Sequence, residues 1–213
     1  MLLAATHKGL PLYDFRFQHP TTHWVSGPSG CGKTYRTAQI LRSKNVLIEN
    51  GEKINNIVFC YAQWQREYDK LQEEGVVTQW KNKMPTEKEF LELTRPFKEK
   101  GGSIVVIDDF MGKIGEDLDE IFRVTARHSN TSVFVLFQSL FPPHKLARQI
   151  SLNTKYMHIH KNIREMAQFG TLARQMRPQK AESMIEAYKN ASLKKYSCLL
   201  LDFTQDCDED MRI

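Results

Sequence analysis

The chain has 213 residues, 41% of them hydrophobic, and a formal net charge of +5, which is apolar material for one sizeable core, or one core and a small appendage. No stretch approaches the roughly 20 apolar positions of a membrane span, and Met1–Ala5 is too short for the apolar part of a secretory signal, so the expectation is an intracellular protein, neither secreted nor membrane-bound. Cys31, Cys60, Cys198 and Cys207 show neither CxxC spacing nor the density of a disulfide scaffold, which points to free thiols in a reducing compartment.

In chain order, a β-prone stretch, His23–Ser26, runs into a Gly-rich loop and then a helical segment over Lys33–Arg42, where Tyr35, Ala38 and Leu41 recur along one side. Asn56–Tyr61 reads as a second strand, followed by a helix around Gln65–Glu74 and a short strand within Val76–Trp80. Thr86 with Glu89 has the form of a capping box, opening a helix towards Lys100 that Pro96 should interrupt and Gly101–Gly102 should end. Ile104–Ile107 and Val133–Phe137 are unbroken apolar runs of the kind found in strands buried on both faces. Tyr156–His160 is a further strand, helices follow around Glu165–Gln175 and Ala181–Asn190, and Tyr196–Phe203 returns to strand. Strands alternating with helices predict an α/β fold, a mostly parallel sheet with helices on both faces. No repeat or low-complexity linker divides the sequence, so one domain is expected.

Gly27-Pro28-Ser29-Gly30-Cys31-Gly32-Lys33-Thr34 fits GxxxxGK[ST] in full and sits between a predicted strand and a predicted helix, the context that gives the pattern its meaning. Glycines let backbone N–H groups turn inward around phosphate oxygens, and the helix N-terminus adds a dipole favourable to anions. Lys33 is placed to reach β- and γ-phosphates of ATP, and Thr34 to offer its hydroxyl to Mg²⁺.

Asp108-Asp109 ends the strand Ile104–Ile107, which puts two carboxylates where open α/β sheets bind ligands. Asp108 is the expected Mg²⁺ carboxylate, acting through a bound water, and Asp109 the group that polarises the attacking water. Gln138-Ser139 ends the strand Val133–Phe137, and the Gln138 carboxamide could hold both that water and a γ-phosphate oxygen. A loop strand, an acid-ended strand and an amide-ended strand together favour the branch of P-loop proteins that inserts a strand between the loop strand and the acidic one.

With these residues in view, Val25–Thr34, the segment Phe59-Cys60-Tyr61-Ala62-Gln63-Trp64-Gln65 with Tyr68, then Val106–Asp109, Arg127–Asn130, Gln138–Phe141 and Leu172–Met176 resemble the poxvirus-type genome-packaging ATPases of the FtsK–HerA superfamily, as found in large DNA viruses, virophages, adintoviruses and Polintons. The likeness runs from about His23 to Pro178. It implies a RecA-like (ASCE-type) P-loop ATPase core over 23–178, preceded by an arm (1–20) and followed by a helix, strand and acidic tail (179–213). It further implies a homo-oligomeric ring that drives double-stranded DNA into a viral capsid at the assembly site, in host nucleus or cytoplasm, with a capsid or portal protein as partner. Asp109 is a departure, since many of the wider superfamily carry Glu there.

From Arg123 to Lys180 the basic residues recur with Glu165 as the only acid, which suits either a solvated surface scattered around the fold or a face for nucleic-acid phosphates or for a neighbour's nucleotide. An arginine supplied by a neighbouring subunit neutralises charge on the transferred phosphoryl group in ring ATPases. Arg127 is the first candidate, with Arg148, Arg174 and Arg177 behind it, and Lys113, Lys145 and Arg148 are candidate DNA contacts. A nucleoside or nucleotide kinase, a replication helicase or clamp-loading ATPase, and a nucleotide-gated scaffold are the alternative readings. Trp64 is expected to pack against the core, and His158 with His160 share one face of a strand without an evident third metal ligand.

Overall fold

The computed structural model describes residues 15–110, 114–207 and 212. The first half of the chain lays down β1 (Thr22–Ser26), α1 (Lys33–Arg42), α2 (Lys44–Leu47), β2 (Asn56–Tyr61), α3 (Arg66–Glu73), β3 (Gln79–Lys81), α4 (Glu87–Thr94) and β4 (Ser103–Asp108). The second half adds α5 (Glu116–Glu120), α6 (Ala126–His128), β5 (Thr131–Phe137), α7 (Lys145–Leu152), β6 (Tyr156–His160), α8 (Met166–Met176), α9 (Ala181–Ala191) and β7 (Cys198–Asp202). The strands form one seven-stranded sheet in the order β3-β2-β4-β5-β1-β6-β7. Every pairing is parallel except that of β7 with β6.

The unbroken apolar runs are explained by burial on both faces. In β4, Val105 and Ile107 enter one core while Ile104 and Val106 enter the other, and in β5 Val133, Val135 and Phe137 alternate in the same way with Phe134 and Leu136. One core is closed by Ala38, Ile40 and Leu41 of α1 and by Tyr68 and Leu71 of α3. The other takes Phe90 of α4, Leu118 of α5, Ile150 of α7, Phe169 of α8 and Met184 and Tyr188 of α9. The β5 strand lies between β1 and β4, with Ser26 opposite Phe137 and Leu136 opposite Asp108. This is the inserted strand that the three differently ended strands led us to expect, and the fold is the expected α/β sheet with helices on both faces.

Several local readings shift. Tyr35 is not on the buried stripe of α1, which consists of Thr37, Ala38, Ile40 and Leu41, because a 3.6-residue period carries every third residue progressively off one face. The capping box is present, with Thr86 Oγ1 accepting from Glu89 N–H and the Glu89 carboxylate from Thr86 N–H, but α4 ends at Thr94 and Pro96 falls in a 3₁₀ turn, Arg95–Phe97. The strand placed at Val76–Trp80 is Gln79–Lys81, and the last strand begins at Cys198 rather than Tyr196. After β4 the chain is helical from Glu116 to His128, including a π-helical turn over Ile121–Thr125, while α7 had no counterpart in the sequence reading. Cys31, Cys60 and Cys198 are free thiols. Among the described residues no helix is long and apolar enough to cross a membrane.

Imidazoles follow β1 and β6, from His19 ahead of β1 to His160 at the loop end of β6. His23 stacks on Phe134 at 3.7 Å between ring centroids, and its Nδ1 lies 3.1 Å from His158 Nε2. Burial, then the neighbouring charges of His160 and Arg36, lowers His158 to about 3. Burial, then Lys33, lowers His160 to about 4, while burial alone dominates at His19, also about 4, and at His23, held well below the usual value. The folded chain therefore keeps these rings neutral where the unfolded chain, with values near 6.5, binds protons. Their stability is complete above about pH 6.5 and is lost as pH falls towards about 4, by up to about 1.4 kcal/mol per pH unit for each ring. The midpoint of denaturant unfolding should fall steeply between pH 6.5 and 4.5; a flat midpoint over that interval would contradict a neutral, buried cluster.

Candidate functional site

The site is assembled where β1, β4 and β5 end side by side. After Ser26 the chain leaves the sheet at Gly27, whose N–H donates to Phe137 O at 3.1 Å. Gly27 has φ 147°, and a Cβ there would stand 2.8 Å from His160 Cβ, so both the backbone angle and the neighbour exclude a side chain. The loop then enters α1 through Gly32 at φ 105°. Lys33 is buried, and its ammonium donates to the carbonyls of Gly27 at 2.7 Å and Pro28 at 3.2 Å.

Asp108, at the end of β4, is 3% exposed. Its Oδ2 accepts the Thr34 hydroxyl at 3.0 Å and the Tyr68 phenol at 2.9 Å, which ties β4 to α1 and α3. Burial pushes the Asp108 carboxyl above its ordinary range; the Tyr68 and Thr34 hydrogen bonds and the Lys33 charge oppose that rise, and Asp109 adds to it. Tyr68 is itself raised, by burial and then by the Asp108 charge, so it remains a donor.

Asp109 follows with φ 67°, a left-handed conformation that Asp enters more readily than most side chains. That conformation supplies a local reason for Asp at this position. Its Oδ1 accepts the Gln138 carboxamide N–H at 2.8 Å, across the ends of β4 and β5. Gln138 is followed by Ser139 and Leu140, whose hydroxyl and N–H both donate to the Glu165 carboxylate, the latter at 2.9 Å. Asn162 donates to the same carboxylate at 2.8 Å. The one acid in the long basic stretch is thus a clasp between the amide-ended strand and the β6–α8 loop.

Lys33, Thr34, Asp108, Asp109 and Gln138 surround one cavity of about 260 Å³, together with Ser29, Gly30 and Gly32 of the loop. Gln65, Glu67, Leu136, Tyr35 and Tyr196 complete its wall; sequence reasoning gave none of these five a role at a site. Arg127 is not among them. It lies exposed in α6, just before the amino end of β5, and the seven residues of β5 separate it from the loop by about 20 Å. Arg148 and Lys145 are exposed on α7, Arg174 is exposed on α8, and Arg177 caps that helix. Lys113 falls outside the described residues. Trp64 is half-exposed, donates to Asp69 Oδ1 at 2.8 Å and meets Tyr61, Tyr68 and Trp80 edge-on or tilted.

Does this corner suit a magnesium ion? Mg²⁺ takes oxygen donors, commonly one or two carboxylates with waters and substrate phosphates. Here a hydroxyl and a carboxylate oxygen stand together on a phosphate-sized cavity, and the carboxylate is costly to keep charged without a cation nearby. The donor set fits.

Among solved structures, the chain is similar to the genome packaging NTPase B204 of Sulfolobus turreted icosahedral virus 2, in complex with AMPPCP. The identity is 16% and the TM-score 0.54, over 86% of this chain and 92% of that one. The fold is that of a P-loop ATPase. EssC (ATPases 2 and 3) of Geobacillus thermodenitrificans is also similar, at 13% identity and a TM-score of 0.50, over 70% of this chain and a third (33%) of that longer one. No family model matches the chain, and no curated protein sequence does.

Because the Tyr68 phenol is the buried partner of a buried carboxylate, Tyr68→Phe should lower unfolding stability by about 1–3 kcal/mol at pH 8, at unchanged denaturant m-value. Unaltered stability would show that this hydrogen bond does not hold α3 to β4.

Proposed function

We propose that the chain is an ATP-hydrolysing motor that moves double-stranded DNA, in the manner of FtsK–HerA genome-packaging ATPases, and loads a viral or virus-like genome into a capsid. The observation that carries this reading is the convergence of Lys33, Thr34, Asp108, Asp109 and Gln138 on one cavity, with the Gln138 strand inserted between the loop strand and the acidic strand. The likeness to a viral packaging NTPase over most of both chains agrees with it. The strand order also speaks against the kinase alternative, whose sheets less often combine these strand ends.

In this reading, loop N–H groups from Gly27 to Thr34 cradle the phosphates, and Lys33 exchanges its carbonyl acceptors for β- and γ-phosphate oxygens. Thr34 and Asp108 would hold Mg²⁺, whose positive charge would offset the charge developing on the phosphates. Asp109 accepts a proton from the attacking water while Gln138, already bonded to it, orients that water against the γ-phosphate. Arg127, distant from the site of its own subunit, would in a ring complete a neighbour's site. The ATPase core spans 23–178; the segment from 179 contributes α9 and the antiparallel edge strand β7. DNA is gripped through its phosphates by basic side chains, and a capsid or portal protein is the docking partner.

Phosphate release measured with and without double-stranded DNA tests the motor. DNA should stimulate turnover at low salt, the stimulation should vanish at high salt, and Lys33→Ala should abolish it. Turnover indifferent to DNA, or transfer of phosphate to an added nucleoside, would overturn the reading. Arg127→Ala should bind ATP normally yet lose about 10³-fold or more in turnover, and mixing it with Lys33→Ala subunits should restore activity at shared sites. Undiminished turnover in Arg127→Ala removes this residue from the mechanism.

A further inference from the structure

Tyr35 follows Thr34 directly, in the first turn of α1, yet its ring is 49% exposed and takes no part in either core. Tyr196 comes from the far end of the chain, in the turn joining α9 to β7. The two rings meet with 5.3 Å between centroids, inclined at 40°, and both stand in the wall of the phosphate-loop cavity. The cavity thus has an aromatic wall beside the polar one made by Asp108, Asp109 and Gln138.

Core packing does not account for Tyr196, which is 38% exposed. It also holds φ at 62°, the left-handed region in which a bulky side chain is an outlier. Such strain persists only where the surroundings over-determine it, and it collects at ligand-binding positions. Here the surroundings are specific. A Cβ placed on Gly32 would lie 2.8 Å from Tyr196 Cβ and 3.0 Å from its Cα, so the Tyr196 backbone is seated on the phosphate loop itself. The turn leaves α9 with Ser192 N–H on Tyr188 O at 3.0 Å and is closed internally by Ser197 N–H on Lys194 O at 3.3 Å. Lys195 Nζ lies 4.7 Å from the centre of the Tyr196 ring, a cation–π contact that further fixes its orientation. On its other side a second cavity, of about 440 Å³, opens between Pro28–Cys31 and Ser192–Ser197.

We propose that Tyr35 and Tyr196 are the nucleobase platform of this site. The base of a nucleoside triphosphate stacks on their rings while the loop holds its phosphates, and the α9–β7 turn is the element that brings base recognition to the loop. The proposal rests on the reading of the loop as a nucleoside triphosphate site. Stacking on a ring is tolerant of base identity, since every base has a π-face. The platform therefore adds affinity for the nucleoside part and none for the phosphates.

Equilibrium binding of Mg-ATP and of Mg-tripolyphosphate separates the two contributions. Wild-type protein should bind ATP more tightly than tripolyphosphate. Tyr196→Asn, which removes the ring but keeps a residue suited to left-handed backbone, should weaken ATP by about tenfold to a hundredfold and leave tripolyphosphate affinity unchanged. Tyr35→Ala should act in the same direction, and Tyr196→Phe should bind ATP as wild type does. Unchanged ATP affinity in Tyr196→Asn overturns the platform, and so does an equal loss for both ligands, which would mean that Tyr196 only props the loop. Wild-type protein that binds neither ligand would instead overturn the reading of the loop, and absent DNA stimulation would overturn the motor alone.

Discussion

One buried carboxylate organises this molecule. Asp108 ends the apolar strand β4 and is nearly sealed from solvent, and its Oδ2 accepts from Thr34 at the start of α1 and from Tyr68 on α3. A lone carboxylate so placed carries a heavy desolvation cost, which shows as its raised pKa, and each of its partners reduces that cost. The same contacts fix the phosphate loop, the acidic strand and the outer helix relative to one another. The structural tie and the oxygen-lined corner that suits a cation are therefore built from the same residues.

The parallel sheet does the remaining positioning. Because β1, β4 and β5 run the same way in adjacent places, their carboxyl ends deliver the loop, the acid pair and the amide to one edge. The same directionality sends whatever precedes those strands to the opposite edge, which is where Arg127 is found. Arg127 is thus a strand's length from the loop of its own chain.

The parts legible in the sequence were those written in consecutive residues. The GxxxxGK[ST] run, the β-branched strand before Asp108-Asp109 and the capping box at Thr86–Glu89 each carry their physical reason within a few positions, and each is found in place. What could not be read were meetings between distant residues. Tyr68 on Asp108, Glu165 on the end of the Gln138 strand, and Tyr196 on Gly32 all depend on how the sheet closes. Glu165 did leave a trace, as the only acid within a long basic stretch, but the charge pattern was read for its basic residues. The missed helix, α7, has only eight residues, so the helical period had too few repeats to show. Tyr35 misled for a related reason, since a spacing of three imitates a helical face only over one or two turns.

We propose that Thr34 and Asp108 form the seat of a phosphate-bound divalent cation. Titrating ATP affinity against Mg²⁺ concentration in wild-type protein and in Asp108→Asn tests it most directly. Affinity should climb with Mg²⁺ in the wild type and stay nearly level in the variant, with both proteins folded by circular dichroism. Identical Mg²⁺ dependence in the two would place the cation elsewhere and contradict the account.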